Sequence, residues 1–336
     1  MSYERFSDVQ TVSNRSPVQP FNTRIVDFFL ENGLYVSTAA LFIVFAVLIP
    51  SFSSLESIVN ILSSAALKGI IAAGFTIALI AGLIDASVVG VAVVTTVLTG
   101  ALFQGLGWSL PATLAAVAGA ALLMALLNFV LVARVRINSF VATTATSGLF
   151  LAVGLAITGG QTITITRPEL QSVLLNRPLG IPIAVWVLLI VYVAAYVMLT
   201  QTRLGAHLYA IGANPTAARV TGVPVGRATL IAFVLCALGT ALGTVFATAR
   251  AGSTLLFGTA FSTFDLSEIF TAVLLGGSSL YGGSGKIERN LVAVLFLTIL
   301  AFGLQLLGAK TGVWLVLKGS AFVTAILLDV IRQRRQ

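Results

Sequence analysis

The chain has 336 residues, of which 58% are apolar and 9% charged, with a formal net charge of +8 and a mean hydropathy of +1.04. These values exclude a water-soluble globular protein. Several apolar runs approach the roughly 20 residues that cross a hydrocarbon layer as a helix, whereas a membrane β-barrel would show shorter alternating stretches. The sequence therefore predicts an all-α, polytopic integral membrane protein.

Ten apolar runs are candidate membrane spans. Residues 1–32, which precede them, are polar and are expected to form a cytoplasmic tail, and the basic residues 332–336 form a second, short tail. Residues 33–331 are expected to form one transmembrane domain. In chain order, the expected spans are Leu34–Pro50, Ile58–Ala81, Ala86–Phe103, Pro111–Ala133, Phe140–Thr158, Pro182–Thr200, Ala228–Ala249, Leu266–Leu280, Leu291–Leu307 and Val313–Val330.

The distribution of basic residues predicts the orientation. Thirteen of the 19 basic residues fall in the tails and connections on one side of the spans, four fall on the other side, and Lys68 and Lys318 lie within spans. Cytoplasmic segments of membrane proteins carry an excess of Lys and Arg. Both termini are therefore expected in the cytoplasm, and the basic surplus reflects topology, which argues against nucleic-acid binding. Lys68 is expected to extend its ammonium group to the lipid headgroups.

Asp85 is the most informative acidic residue of the expected spans. It lies in the stretch AGLIDASVVG, where Gly82 and Gly90 loosen the helix and Ser87 adds a hydroxyl. An ionisable group at membrane depth is costly and needs a partner or a water-filled cavity. We interpret the stretch as a broken helix whose free backbone groups line a solute route. The alternative is a carboxylate that caps the next span at the membrane surface.

The longest connection on the side opposite the termini is Gly159–Ile181. Its alternation of Thr and Ile favours a short extended piece. Together with Gly252–Asp265, it is a candidate contact for an external protein that delivers a solute. The alternative is an ordinary solvated loop.

The polar stretch Gln201–Arg227 lies between two long apolar runs and contains a short helix with clear ends. Asn214 can cap the helix by accepting a backbone N–H bond, and Pro215 fits the first helical position. Gly222 can adopt the left-handed conformation that ends a helix. The sequence therefore predicts a helix from Pro215 to Thr221, about 10 Å long, on the cytoplasmic side.

The run GGSGK at Gly282–Lys286 resembles part of a phosphate-binding loop but lacks its spacing. The positions that require a glycine and a Ser or Thr hold Leu280 and Ile287. The chain is therefore not expected to bind a nucleotide, and energy for transport must come from a partner or a gradient.

Three stretches resemble the sugar-importing permeases of ATP-binding-cassette (ABC) systems, the ribose-type membrane subunits. They are residues 205–222, 82–90 and 275–285, and the first departs from the family pattern at Ala206 and Ala213. In that family the first stretch carries the coupling helix, which docks into the ATP-hydrolysing subunit. The predicted ATPase-coupling residues are Gly205, Tyr209, Gly212, Asn214, Pro215, Ala217, Ala218, Arg219 and Gly222.

The resemblance implies a bundle of about ten transmembrane helices of the type II importer class. It implies the permease subunit of an importer for a monosaccharide or related polyol in the bacterial inner membrane. The implied partners are an ABC ATPase subunit that holds ATP and Mg, a periplasmic or lipid-anchored solute-binding protein, a second permease subunit (a copy or a paralogue) and membrane lipid. No cofactor, metal or catalytic residue is expected in this chain, which is not expected to be an enzyme. The predicted translocation path consists of Asp85, Ser87, Asn128, Asn138, Phe140, Thr143 and Gln305.

Other functions remain open from the sequence. One is an ABC permease for nucleosides or branched-chain amino acids, whose loops are similar. Another is an ion-coupled secondary transporter, for which Asp85 is the interior carboxylate best placed to hold an ion. A membrane-embedded enzyme is disfavoured, because no His, Cys or acidic cluster lies near the end of a span.

Overall fold

The computed structural model describes residues 21–254 and 266–333. Within these residues the chain is helical and forms no β-strand beyond one isolated bridge between Thr164 and Ser253. The α-helices are α1 (Phe21–Leu48), α2 (Leu55–Ile80), α3 (Val88–Leu98), α4 (Leu110–Phe129), α5 (Ser139–Thr158), α6 (Pro168–Leu174), α7 (Ile183–Gln201), α8 (Arg203–Ala213), α9 (Pro215–Val220), α10 (Val225–Ala251), α11 (Leu266–Leu275), α12 (Ile287–Leu306) and α13 (Thr311–Gln333).

The described helices confirm a polytopic membrane protein. Seven of them are long and apolar enough to cross a membrane: α2, α3 with its π-helical extension to Gly105, α4 with its π-helical extension to Arg134, α5, α7, α10 and α12. Two further apolar segments, Asn32–Leu48 in α1 and Gly312–Leu327 in α13, are shorter. Helix α1 begins at Phe21, so it extends into residues that were expected to form the amino-terminal tail.

The eighth expected span, Leu266–Leu280, is wrong in length. Within the described residues, helix α11 runs from Leu266 to Leu275, ten residues that span about 15 Å, half the thickness of a hydrocarbon core. The helix stops because Gly276 and Gly277 follow, and Gly277 takes a positive φ of 90°. The rest of the expected span, residues 276–280, is not helical.

The core of the bundle is α2, which is buried along most of its length and packs closely on α10. Glycines make this approach possible. A Cβ atom added at Gly74 of α2 would lie 2.7 Å from the carbonyl oxygen of Leu235, and one at Gly243 of α10 would lie 2.8 Å from that of Leu67. Both distances are too short for a side chain, so small residues set the separation of the two central helices.

The two ends of the bundle differ in charge and structure. We call the end that carries α8, α9 and the turns 81–87 and 276–286 the basic end, because Arg203, Arg219, Arg227 and Lys286 lie there. At the opposite end, the chain between α5 and α6 is extended alongside the end of α10, as the Thr and Ile alternation predicted. Its Ile165 N–H donates to Gly252 O at 2.8 Å. The remainder of the predicted contact region, residues 255–265, lies outside the described residues.

Candidate functional site

The polar stretch 201–227 contains two helices, of which only α9 was predicted from the sequence. Helix α8 begins after Thr202, whose hydroxyl accepts the N–H of Gly205 at 3.3 Å. Its buried residues include Leu208, Ile211 and Gly212, which pack on the bundle. The apolar spacing of Leu204, Leu208 and Ile211, which lie four and three residues apart, is the signal that could have revealed this helix.

Helix α9 has the ends that the sequence predicted. The Asn214 side-chain oxygen accepts the N–H groups of Thr216 and Ala217, both at 3.0 Å, and Pro215 is the first helical residue. Gly222 takes a φ of +83°, and the chain then turns into α10. The helix ends at Val220, one residue earlier than predicted.

The predicted coupling residues fall into two sets that face opposite ways. Gly205, Gly212 and Ala218 are buried against the bundle, and Tyr209 is partly buried. The remaining five, Asn214, Pro215, Ala217, Arg219 and Gly222, are exposed. We call the exposed surface of α9, formed by Pro215, Thr216, Ala217, Arg219 and Val220, the docking face. Val220 is 84% exposed, and it was not among the coupling residues predicted from the sequence.

Four glycines bring three distant backbone segments into contact beneath α9. We call Gly82, Gly212, Gly282 and Gly283 the glycine junction. A Cβ atom at Gly212 would collide with the carbonyl oxygen of Ile80 and the nitrogen of Gly283, and one at Gly282 would lie 2.6 Å from the Cα of Gly82. The junction is also hydrogen-bonded, since Gly283 N–H donates to Ile80 O at 2.9 Å. The segments 81–87, 203–213 and 276–286 are therefore in direct backbone contact, with no room for a side chain between them.

Tyr209 adds a second connection between α8 and the glycine-rich turn. Its hydroxyl donates to the carbonyl oxygen of Gly285 at 2.8 Å. Burial raises the pKa of Tyr209 above its usual value, and the negative charge of Glu288 raises it further. The phenol therefore stays protonated at physiological pH and remains a donor.

Asp85 lies in the break between α2 and α3 and is 2% exposed. Its Oδ1 accepts the backbone N–H of Ser87 at 3.0 Å and also the Ser87 hydroxyl. Asn128 of α4 donates to the Ser87 Oγ at 2.7 Å, and Thr146 of α5 donates to the Asn128 Oδ1 at 2.7 Å. Thr143 Oγ1 accepts Ala86 N–H at 2.9 Å. These polar groups therefore hold the broken helix to α4 and α5.

The other predicted path residues do not join this hydrogen-bonded group. Asn138 caps α5, where its side-chain oxygen accepts the N–H of Phe140 at 3.0 Å, and the Phe140 side chain is 49% exposed at the basic end. Gln305 is near the end of α12 that faces away from α8 and α9. The structure thus brings Asp85, Ser87, Asn128 and Thr143 together but separates Gln305 from them, and their part in translocation stays a prediction.

Gln305 lines a cavity of about 540 Å³ between α2, α10, α12 and α13, which we call the vestibule. It lies towards the opposite end of the bundle. Its polar and aromatic lining residues are Ser64, Lys68, Arg250, Thr298, Phe302, Gln305 and Trp314.

Lys68 stands near the middle of α2 and does not reach for the headgroups, so that prediction was wrong. Its Nζ donates to Oε1 of Glu268, at the start of α11. The exposed fraction of the side chain is 18% for Lys68 and 5% for Glu268. No sequence pattern indicates this pair, because the two residues are 200 positions apart.

Comparison with known proteins shows what the chain is similar to. Residues 57–326 match the family described as "Branched-chain amino acid transport system / permease component". The ribose import permease protein RbsC of Escherichia coli K12 is 32% identical over 313 residues, which cover 91% of this chain and 95% of that protein. RbsC of Bacillus subtilis strain 168 is 34% identical over 301 residues, covering 88% and 92%. The L-arabinose transport system permease protein AraH of E. coli K12 is 28% identical over 330 residues, covering 98% of each. No solved structure matches the chain.

Proposed function

Because the chain belongs to the branched-chain amino acid transport system permease family, we propose that it is the permease subunit of an ATP-driven importer of a monosaccharide or related polyol. Relatives that align over about nine-tenths of the chain or more are named for ribose import and L-arabinose transport. A monosaccharide is therefore favoured over a nucleoside or an amino acid as the imported solute.

The observation that carries the proposal is the docking face of α9. It is a two-turn helix with an alanine at its centre and the exposed Val220 at its end, presented away from the bundle. Small and apolar residues allow close approach of a complementary groove, as in the buried centres of protein interfaces. We infer that this groove belongs to a separate ATPase subunit, which supplies ATP and Mg.

The glycine junction gives the docking face a path into the membrane domain. Motion of α8 and α9 acts on Ile80 through Gly212 and on α11 through the turn at 276–286. Helix α11 then connects the basic end to Glu268 and its partner Lys68. A close-packed junction transmits displacement because its backbone contacts have no room to absorb it.

The orientation follows from the charges of the two ends. We place the basic end, with both termini, in the bacterial cytoplasm, where membrane proteins concentrate Lys and Arg. A periplasmic or lipid-anchored binding protein then delivers solute to the opposite end, where residues 163–165 lie against residues 252–254. A second permease subunit, identical or paralogous, completes the membrane part of the importer.

Replacing Ala217 with tryptophan tests the docking assignment. The bulky side chain would stand on the docking face without entering the bundle, because Ala217 is exposed. We expect the variant to insert normally, but to retain no more than about one-tenth of the co-purified ATPase subunit, the loss expected when a central interface position is blocked.

The matched control is Ala112→Trp, since Ala112 is exposed in the first turn of α4 at the opposite end. It should co-purify the ATPase subunit as the wild type does. Undiminished ATPase recovery with Ala217→Trp would refute the docking assignment.

A further inference from the structure

The vestibule carries two basic side chains, those of Lys68 and Arg250. None of its lining residues, within the part of the chain that the structure describes, is a carboxylate. Glu268 lies behind Lys68 and pairs with it. Among the described residues no Asp or Glu forms an ion pair with Arg250, whose Nη1 donates to the Ser64 hydroxyl at 2.9 Å. The cavity therefore presents one positive charge that the described protein does not neutralise.

The guanidinium of Arg250 retains hydrogen-bonding capacity for a solute. Arginine has five N–H donors in a planar fork, and the hydrogen bond to Ser64 uses one of them. The fork matches the two oxygens of a carboxylate and binds them in parallel, at short distances. A neutral solute would instead displace water from a charged group without supplying an opposite charge, which is unfavourable.

The remaining lining suits the ring of a sugar. Gln305 provides an amide with both donors and an acceptor, Thr298 and Ser64 provide hydroxyl oxygens, and Trp314 provides an aromatic surface. A volume of about 540 Å³ lies within the range of roughly 300–1,000 Å³ that small-molecule sites occupy. It has room for one monosaccharide and accompanying water.

We propose that the vestibule binds a monosaccharide that carries a single carboxylate, of the hexuronate class, with Arg250 contacting the carboxylate. One unbalanced positive charge matches one carboxylate, whereas a sugar phosphate carries close to two negative charges at neutral pH. This inference rests on the proposed function, because it names the kind of sugar that the importer carries.

Trp314 can report this binding directly, without the ATPase or the binding protein. The chain has three tryptophans, so the double variant Trp108→Phe/Trp186→Phe leaves Trp314 as the single tryptophan whose fluorescence is measured. The purified permease in this background is titrated with galacturonate and, separately, with galactose. We expect a Kd for galacturonate at least tenfold lower than for galactose.

Variants at two basic positions assign the preference to Arg250. Arg250→Gln should raise the galacturonate Kd at least tenfold without raising the galactose Kd, and Arg250→Lys, which keeps the charge but loses the fork, should lie between. Lys310→Gln is the matched control, because Lys310 is exposed in the α12–α13 turn and does not line the cavity. It should keep the wild-type preference.

Equal affinity for the two sugars, binding of neither, or an unchanged galacturonate Kd in Arg250→Gln would overturn the inference. If Arg250→Gln does not fold, the inference is still tested by the ratio of the two Kd values in the wild type and by the galacturonate Kd of Arg250→Lys. Such a failure leaves the proposed function standing as long as Ala217→Trp still releases the ATPase subunit, so the two proposals fail separately.

Discussion

Replacing Gly212 with alanine is expected to destabilise the permease and to reduce solute uptake, although glycine-to-alanine changes usually stabilise helices by up to about 1 kcal/mol. The added Cβ would meet the carbonyl oxygen of Ile80 and the backbone nitrogen of Gly283. Backbone atoms cannot rotate away as a side chain can, so α8 must shift. Overpacking of this kind costs about 1–3 kcal/mol. Strain of this size, where it raises the barrier of the conformational step, slows uptake by roughly 5- to 150-fold.

Gly226→Ala is the matched control. Gly226 also lies in a helix at the basic end, in the first turn of α10, but a Cβ there would meet no atom within 4 Å. Stability can be followed by the reaction of a fluorogenic maleimide with Cys236, the single cysteine, which is buried. We expect Gly226→Ala to be neutral or stabilising and Gly212→Ala to unfold at a lower temperature. Equal stability and equal uptake of the two variants would contradict the role of the glycine junction.

Breaking the ion pair between Lys68 and Glu268 is expected to destabilise the protein. The loss should depend on which of the two residues is replaced. In Lys68→Met the carboxylate of Glu268 stays 5% exposed and without its partner, and loss of one member of a buried pair costs about 3–5 kcal/mol. In Glu268→Gln the ammonium of Lys68 still faces the vestibule, where water can solvate it. The second variant should therefore lose less stability than the first.

The double variant Lys68→Met/Glu268→Leu supplies the control for this pair. It removes both charges and leaves apolar side chains of similar length, a replacement that is often neutral or stabilising. The maleimide assay on Cys236 should place its unfolding temperature near that of the wild type and well above that of Lys68→Met. A double variant as unstable as Lys68→Met, with no coupling between the two changes, would show that the pair does not stabilise the bundle.

The elements that sequence predicted well are those defined by local chemistry. Helix α9 follows from Asn214, Pro215 and Gly222, because a cap, a proline at the first position and a left-handed glycine act within a few residues of one another. The long apolar helices follow from composition in the same way. Helix α8 was missed because its polar face hid the apolar spacing.

The elements that sequence did not predict depend on contacts between distant segments. Gly82, Gly212 and Gly282 were each noticed within a separate motif, but nothing in a motif states that the three backbones meet. The partner of Lys68 was hidden for the same reason, and Glu268 lies in the expected span Leu266–Leu280, which is helical only to Leu275. The Asp85 break was predicted, but its bonds to Ser87 and the network through Asn128 required the fold.

The most direct test of the account is the side of the membrane on which α9 lies. Thr216 is exposed on the docking face, and the native Cys236 is buried. Thr216→Cys therefore adds one accessible thiol to a protein whose own thiol is shielded from the reagent. A membrane-impermeant maleimide should label this cysteine in inside-out vesicles stripped of the ATPase subunit and should fail to label it when the ATPase is bound. Labelling of the same cysteine in intact spheroplasts, from the outside, would contradict the account.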